Sequence, residues 1–382
     1  MLSPGLTVSV SAGPATTTSP YVLRYPTERT PGLLFGFTAV DPSTNERDYS
    51  WAVDDTANWS EWDPQANATV TAIDFQETGS DTHTFYLRGR NKWGVMSPVA
   101  TRLFRATVPP IDDPNWPKKT LVINNCRILN AGAPAWLPPA DSGLVNAFYR
   151  EVMDSIGKSE GTDYELYTTS AHPPTYTFPD STVLAEYTSV LLLSEQDLGA
   201  SPLMALTRLD AGRQRSLKVY LNIGGKLIFS GSPNIPLMFG TPSNTTWPDF
   251  ADEVFHVLTE ASMPPVPFTA NAAYDCIGSK GNLGYPDTRV DSTKLPASAA
   301  GALKDISINF PRGFGQTICE FDSKVDSADF ENQPIGVRYL APPPIGPGRK
   351  TYSIVYFGHP LYYLMKSDVI AVLRKAFTDI EE

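Results

Sequence analysis

Two serines and one histidine are the residues of this chain best placed to do chemistry. Ser230 and Ser232 flank Gly231 just past the apolar run Lys226-Leu-Ile-Phe229, and His359-Pro360 follows the apolar run that ends at Phe357. A serine hydroxyl attacks a carbonyl only when an imidazole takes its proton, and that imidazole must itself be held by a carboxylate beside an oxyanion hole. Both groups follow strand-like runs. Both are therefore expected at the carboxyl edge of a sheet, where ligands and nucleophiles sit in open α/β folds.

Other candidates need different chemistry. Asp287 and Asp291, with nearby carbonyls, offer the hard oxygen ligands that calcium prefers, while aspartates in a Gly/Pro-rich loop also cap turns. His83, His172 and His256 share no metal-ligand spacing. Asp249, Asp252 and Glu253 suit the first turn of a helix, where the dipole favours negative charge. The stretch Gly278-Ser-Lys-Gly-Asn-Leu-Gly284 is glycine-rich but lacks the Gly-Lys-Ser/Thr ending of a phosphate-binding loop. Three cysteines, Cys126, Cys276 and Cys319, make neither a disulfide framework nor a zinc site, and none falls at the Ser230 turn. A single bridge from Cys276 to Cys319 stays open. Trp51, Trp59, Trp62 and Trp93 could stack on a sugar, although packing within a sandwich is the weightier reading. No cofactor is expected.

Composition bounds the partners. With 382 residues, two domains are expected. A net charge of -11 and a pI near 4.9 disfavour nucleic acid or an anionic membrane as the partner of the whole molecule. The longest apolar runs, such as Val190-Leu-Leu-Leu193, are strand-length and too short to span a bilayer. The 35 prolines narrow the unfolded ensemble, in keeping with an exported protein. No signal peptide is visible at the start. The Ser/Thr/Pro-rich segment 1–19 reads like a linker behind a cleaved signal or lipid anchor, so export is expected, with a cytoplasmic protein as the alternative.

These residues must be positioned by two kinds of architecture. Residues 20–107 alternate with period two between turn residues, as in Asp48-Tyr-Ser-Trp-Ala-Val53 and His83-Thr-Phe-Tyr-Leu-Arg88, and imply an all-β sandwich of immunoglobulin or fibronectin type III style. Residues 108–118 are a proline-rich linker. In 119–382, buried-strand runs alternate with helical spacing. Examples are Leu144, Val145, Phe148, Val152 and Met153 ahead of Gly157, which implies an α/β three-layer domain with a parallel sheet. Residues 271–347 break the alternation and read as an insertion decorating the sheet edge.

Two resemblances sharpen this. Tyr49-Ser-Trp51, Asp54-Asp55 and Trp59-Ser-Glu-Trp62, with the tail His83 to Pro98, resemble bacterial surface fibronectin-like modules. Gly224-Gly-Lys-Leu-Ile-Phe-Ser-Gly231, Gly284-Tyr-Pro-Asp287 with Val290-Asp291 and Lys294, and Val355-Tyr-Phe-Gly-His-Pro-Leu-Tyr-Tyr363 resemble the class I glutamine amidotransferase-like (flavodoxin-like) domain of exported Bacteroidetes and Chlorobi proteins. That likeness implies a cell-envelope address and a partner that is another envelope protein or a glycan. True members of the amidotransferase class carry a nucleophilic cysteine where this chain has Ser230 or Ser232, and an acid after His-Pro where it has Leu361. The expectation is a degenerate, non-enzymatic scaffold for binding or assembly. Alternatives are a serine hydrolase using Ser230 or Ser232 with His359, and a carbohydrate-binding surface protein.

Overall fold

A computed structural model of the chain describes residues 6–13, 21–22, 33–45, 47–70, 82–107, 119–125, 142–169, 178–194, 211–222, 224–231, 255–258, 275–303, 306, 308–340 and 352–381. The chain divides into two compact units, Met1–Trp116 with Asp180–Glu186, and Pro117–Pro179 with Tyr187–Glu382.

In the first unit, strands β1 (Thr7–Ala12), β2 (Tyr21–Val22), β3 (Leu33–Val40), β4 (Arg47–Val53), β5 (Asn67–Val70), β6 (Thr82–Asn91) and β7 (Ala100–Thr107) make two sheets, ordered β1-β3-β5 and β2-β7-β6-β4. Neighbours pair antiparallel except β2 against β7. Period two decides which side chains turn inward: along β6, His83, Phe85, Leu87, Gly89 and Asn91 are buried, and the residues between them are not. Phe35, Phe37, Phe85 and Phe104 from both sheets share one core, which makes the unit a β-sandwich. Phe35 stacks on Phe85 with ring centroids 4.0 Å apart. β1 lies inside the segment 1–19 that composition reads as linker-like. Val8 and Val10 pack against the core from it, and two apolar residues among serines and threonines are too weak a pattern to announce a strand.

The second unit contains β8 (Thr120–Asn124), α1 (Ser142–Ser155), β9 (Tyr164–Thr168), β10 (Ser189–Ser194), α3 (Ala211–Asn222), β11 (Lys226–Gly231), β12 (Val257–Leu258), β13 (Cys276–Gly281), β14 (Thr288–Arg289), β15 (Phe310–Pro311), β16 (Gln316–Ser323), β17 (Pro334–Tyr339), β18 (Ser353–Phe357) and α4 (Lys366–Glu381); the short α2 (Ser181–Ala185) groups with the first unit. Nine of the described strands form one sheet, ordered β14-β13-β16-β17-β18-β11-β10-β8-β9, and β12 pairs separately with β15. The strands from β18 to β9 run parallel to one another, and those from β17 to β14 pair antiparallel. The stretch read as decoration thus continues the main sheet. Its strands pair through irregular registers at Cys276/Gly278 and Thr317/Cys319, which blurs their alternation in the sequence.

Every residue of β8, β10 and β18 is buried, which accounts for their unbroken apolar runs. Val122, Leu191, Ile228 and Val355 lie side by side in register and join Val145 and Val152 of α1 and Val369, Leu373 and Phe377 of α4 in one core. The opposite row is Ile123, Leu192, Phe229 and Tyr356, with Phe229 stacked on Tyr356 at 5.4 Å.

Candidate functional site

The turn into β11 is made by glycines. Gly224 has φ 98°, and a Cβ on Gly225 would lie 2.4 Å from the Tyr220 ring. The Tyr220 hydroxyl accepts the Lys226 N–H and donates to the Lys226 carbonyl, both at 3.2 Å, so α3 and β11 are tied at this corner. β11 then runs between β10 and β18 and brings Ser230 to the carboxyl edge beside Leu193 and Phe357.

Ser230 is wholly buried, and its Oγ accepts the Leu361 N–H at 3.1 Å. His359, two residues beyond β18, is equally enclosed. Among the described residues neither of its ring nitrogens has a hydrogen-bond partner. Burial pushes its pKa down to about 4, so the imidazole is neutral. Its ring meets Phe357 nearly edge-on at 6.3 Å. Both residues therefore stand at strand ends on the same sheet edge, and among the described residues no serine oxygen or carboxylate is hydrogen-bonded to the imidazole. Ser232 lies outside the described residues.

Contacts far apart in sequence hold this turn. The Gly358 N–H donates to the Ile335 carbonyl at 2.9 Å, and a Cβ on Gly358 would stand 2.2 Å from that oxygen and 2.4 Å from Asn309 Nδ2. Lys294 Nζ donates to the carbonyls of Tyr362 (2.6 Å) and Leu364 (3.2 Å), and lies 3.9 Å above the Phe148 ring. Sequence reasoning did not single out Asn309 or Gly358 for this turn. A lone Asn in a loop and a Gly after a strand carry no distinctive signal.

The parallel order also creates a switch point, since the chain leaves β8 for β9 on one side and returns to β10 on the other. The described contacts at that edge are hydrogen bonds between Asn and Thr groups. Asn124 Nδ2 donates to Asn146 Oδ1 (2.6 Å), Asn146 Nδ2 to Thr168 Oγ1 (2.9 Å), and Thr169 Oγ1 to the Asn124 carbonyl (3.3 Å) and Asn125 Oδ1 (3.2 Å). These bonds fasten α1 to β8 and β9.

Those of the remaining candidates that are described make contacts within the fold. Asp287 Oδ1 accepts the Gly281 N–H at 2.7 Å, and Asp291 caps the short helical turn 292–294 by accepting from the Thr293 N–H at 3.1 Å and its hydroxyl at 2.5 Å. Among the described residues no group of three His, Cys, Asp or Glu side chains could hold a metal ion. His83 bridges Asp54 Oδ2 (2.6 Å) and the Ala106 carbonyl (3.0 Å) inside the sandwich. His256 precedes β12 in the left-handed region, φ 53°, and stacks on Tyr339 at 3.9 Å. It therefore lies in a turn; the helix start expected at Asp249, Asp252 and Glu253 lies outside the described residues, as do His172 and Cys126. Cys276 and Cys319 are free and buried, opposite Ser323 and Gly281 respectively, so the bridge left open by the sequence is not formed. Burial raises both thiols, Cys276 to about 12.

Trp51, Trp59 and Trp62 make ring contacts within the sandwich. Trp51 stacks on Phe85 at 5.9 Å. The Arg88 guanidinium lies 4.1 Å from the Trp59 ring and 4.9 Å from the Trp62 ring, and Arg90 lies 4.6 Å from Trp62. This ladder of cations and rings fastens the Trp59–Trp62 segment over β4 and β6. Trp93 is exposed. Among the described residues no helix is long and apolar enough to cross a membrane.

No protein family matches the chain, and no curated relative does. Among solved structures it is similar to the fibronectin(III)-like modules of Clostridium thermocellum CbhA, with 15% identity over 27% of this chain and 47% of that one and a TM-score of 0.20. It is also similar to the PKD domain of an M14-like peptidase from Thermoplasmatales archaeon SCGC AB-540-F20 (14% identity, 27% of this chain, 92% of that one, TM-score 0.17). A third likeness is to a cold-adapted β-galactosidase from Rahnella sp. R3 (9% identity, 68% of this chain, 31% of that one, TM-score 0.36). The chain thus spans about half the length of the fibronectin-like protein it matches.

Proposed function

We propose that this is a non-enzymatic, exported protein of the bacterial cell envelope that acts in binding or assembly. In this reading a fibronectin III-like sandwich is joined to an α/β unit of the glutamine amidotransferase-like, flavodoxin-like kind whose chemistry has been lost. The observation that carries it is the state of the serine–histidine pair. Ser230 is wholly buried with its oxygen accepting the Leu361 N–H, and among the described residues His359 is enclosed without a hydrogen-bond partner on either nitrogen. A hydrolase needs the opposite arrangement, an open serine whose proton an oriented base can take. The Asn124–Asn146–Thr168 hydrogen bonds support the same reading, since they tie α1 to β8 and β9 at the switch-point edge.

The partner that fits is another envelope protein or a glycan, met through the surface of either unit. A glycan would find the faces of Trp59 and Trp62 held by guanidinium groups, so those rings are latches of the sandwich. Incubation of the native protein with a fluorophosphonate serine probe, followed by mass mapping, tests the loss of chemistry. Ser230 and Ser232 are expected to stay unmodified. Labelling of either serine that disappears in His359→Ala would make the hydrolase the better reading.

A further inference from the structure

The hairpin between β6 and β7 exposes four large apolar side chains within seven residues: Trp93 (59% exposed), Val95 (51%), Met96 (46%) and Val99 (49%). Scattered apolar residues on a surface need no explanation, whereas a cluster on one loop tip marks a contact site. The tip is stiffly built. Asn91 is buried, and its Oδ1 accepts the N–H groups of Trp93 (3.1 Å) and Val95 (3.0 Å). The Asn91 N–H donates to the Val95 carbonyl (3.1 Å), the Gly94 N–H to the Asn91 carbonyl (2.9 Å) and the Ser97 N–H to the Gly89 carbonyl (2.9 Å). Ser97 Oγ accepts the Gly89 N–H at 2.9 Å. Gly94 turns the chain with φ 78°, and Pro98 has no N–H to satisfy.

We propose that this tip docks into a lipid–water interface. Stranded main-chain donors are the chief cost of putting a loop into hydrocarbon, and this hairpin has already bonded the N–H groups of Asn91, Trp93, Gly94, Val95 and Ser97 internally. Size argues against a second copy of the chain. Four such side chains offer on the order of 400 Å², about half of what each partner of a stable interface contributes. Of the carboxylates beside the tip, Asp48 is paired with Arg90 (2.9 Å), while Asp41 keeps its negative charge and accepts a hydrogen bond from Asn91 Nδ2 (2.9 Å). The Lys92 ammonium lies 4.9 Å from the Trp93 ring centroid, a cation beside an amphipathic ring, as in residues that seat at the bilayer boundary. The net charge of -11 does not forbid contact, because charges beyond a Debye length of about 8 Å are screened. The inference stands on the hairpin alone and is independent of the proposed loss of chemistry.

Flotation of the full chain with vesicles of phosphatidylcholine, with and without phosphatidylglycerol, tests it. The protein is expected to float with both. Trp93→Asp and Met96→Asp should each cut partitioning at least tenfold, and Lys92→Glu should weaken binding to the anionic vesicles alone. Unchanged circular dichroism of these surface variants would establish that they remain folded. Absence of flotation, or flotation indifferent to Trp93→Asp and Met96→Asp, would overturn the proposal. So would a dimer in solution that Trp93→Asp dissolves without any vesicle binding.

Discussion

Acid titration probes the state of His359 directly. Burial lowers its pKa from 6.5 to about 4 in the folded protein, while in the unfolded chain it titrates near its ordinary value. Between those two values the unfolded chain binds a proton that the native protein refuses. Stability therefore falls as pH falls through that window. Relative to pH 7, the loss that His359 contributes is roughly 2 kcal/mol at pH 5 and about 3 kcal/mol at pH 4. Carboxylates titrate in the same range, so the comparison is with His359→Leu, which removes the imidazole and leaves the acids in place. In urea unfolding followed from pH 7 to pH 5, the variant should gain about 2 kcal/mol on the parent. The imidazole proton resonances of His359 should keep their neutral positions down to about pH 5. Parallel pH profiles for the two proteins, or a His359 resonance titrating at 6.5 or above, would refute the reasoning and return the imidazole to service as a general base.

Three further expectations follow from the same contacts. Ser230→Ala leaves the buried Leu361 N–H without its acceptor, at a cost of about 1–3 kcal/mol; calorimetry should show the transition of the second unit roughly 3–10 °C lower, and an unchanged transition would deny Ser230 its structural role. Asp379 is nearly fully buried and accepts from Tyr285 Oη (2.7 Å), Arg338 Nη1 (2.7 Å) and Lys375 Nζ (2.5 Å). Burial raises its pKa, but bonds from Lys375, Tyr285 and Arg338 outweigh that and hold it below the usual range. Its contribution is thus present above the unfolded carboxylate pKa and lost as pH falls through the lower folded value. Asp379→Asn should cost about 2–4 kcal/mol at neutral pH, since Arg338 loses its counter-charge, and should flatten the stability profile below about pH 4; a cost that does not shrink in acid would contradict this. Finally, limited proteolysis is expected to cut within 108–118 and release a fragment beginning near Lys119, and protection of that segment would argue for one continuous core.

The legible parts of the fold were those written in local pattern. Val190-Leu-Leu-Leu193 and Leu227-Ile-Phe229 are apolar without alternation because both faces of their strands are covered, so the sequence shows the burial directly. The alternation of His83 to Arg88 likewise announces a half-buried strand. Patterns broken by irregular pairing were not legible. β16 and β17 join the main sheet through shifted registers, and β1 shows only Val8 and Val10 against the core. The candidate site divides along the same line. That Ser230 and His359 both follow strands can be read from their neighbours, but nothing near them in sequence reveals which groups they meet.

What the amino-acid order determined by itself was therefore the inventory and its edge placement: Ser230 at the end of one apolar strand, His359 just past another, and glycines at the turn into β11. Tertiary structure alone decided how these groups are used. The Leu361 main chain is 131 residues from Ser230, Asn309 packs on Gly358 through a gap that only glycine leaves, and Lys294 braces the turn across 68 residues. Hydrogen-bond partners and desolvation belong to the packed chain, because each depends on which distant atoms exclude water from a site. Residue type and spacing decide what chemistry is available; enclosure decides whether it is spent on holding the fold.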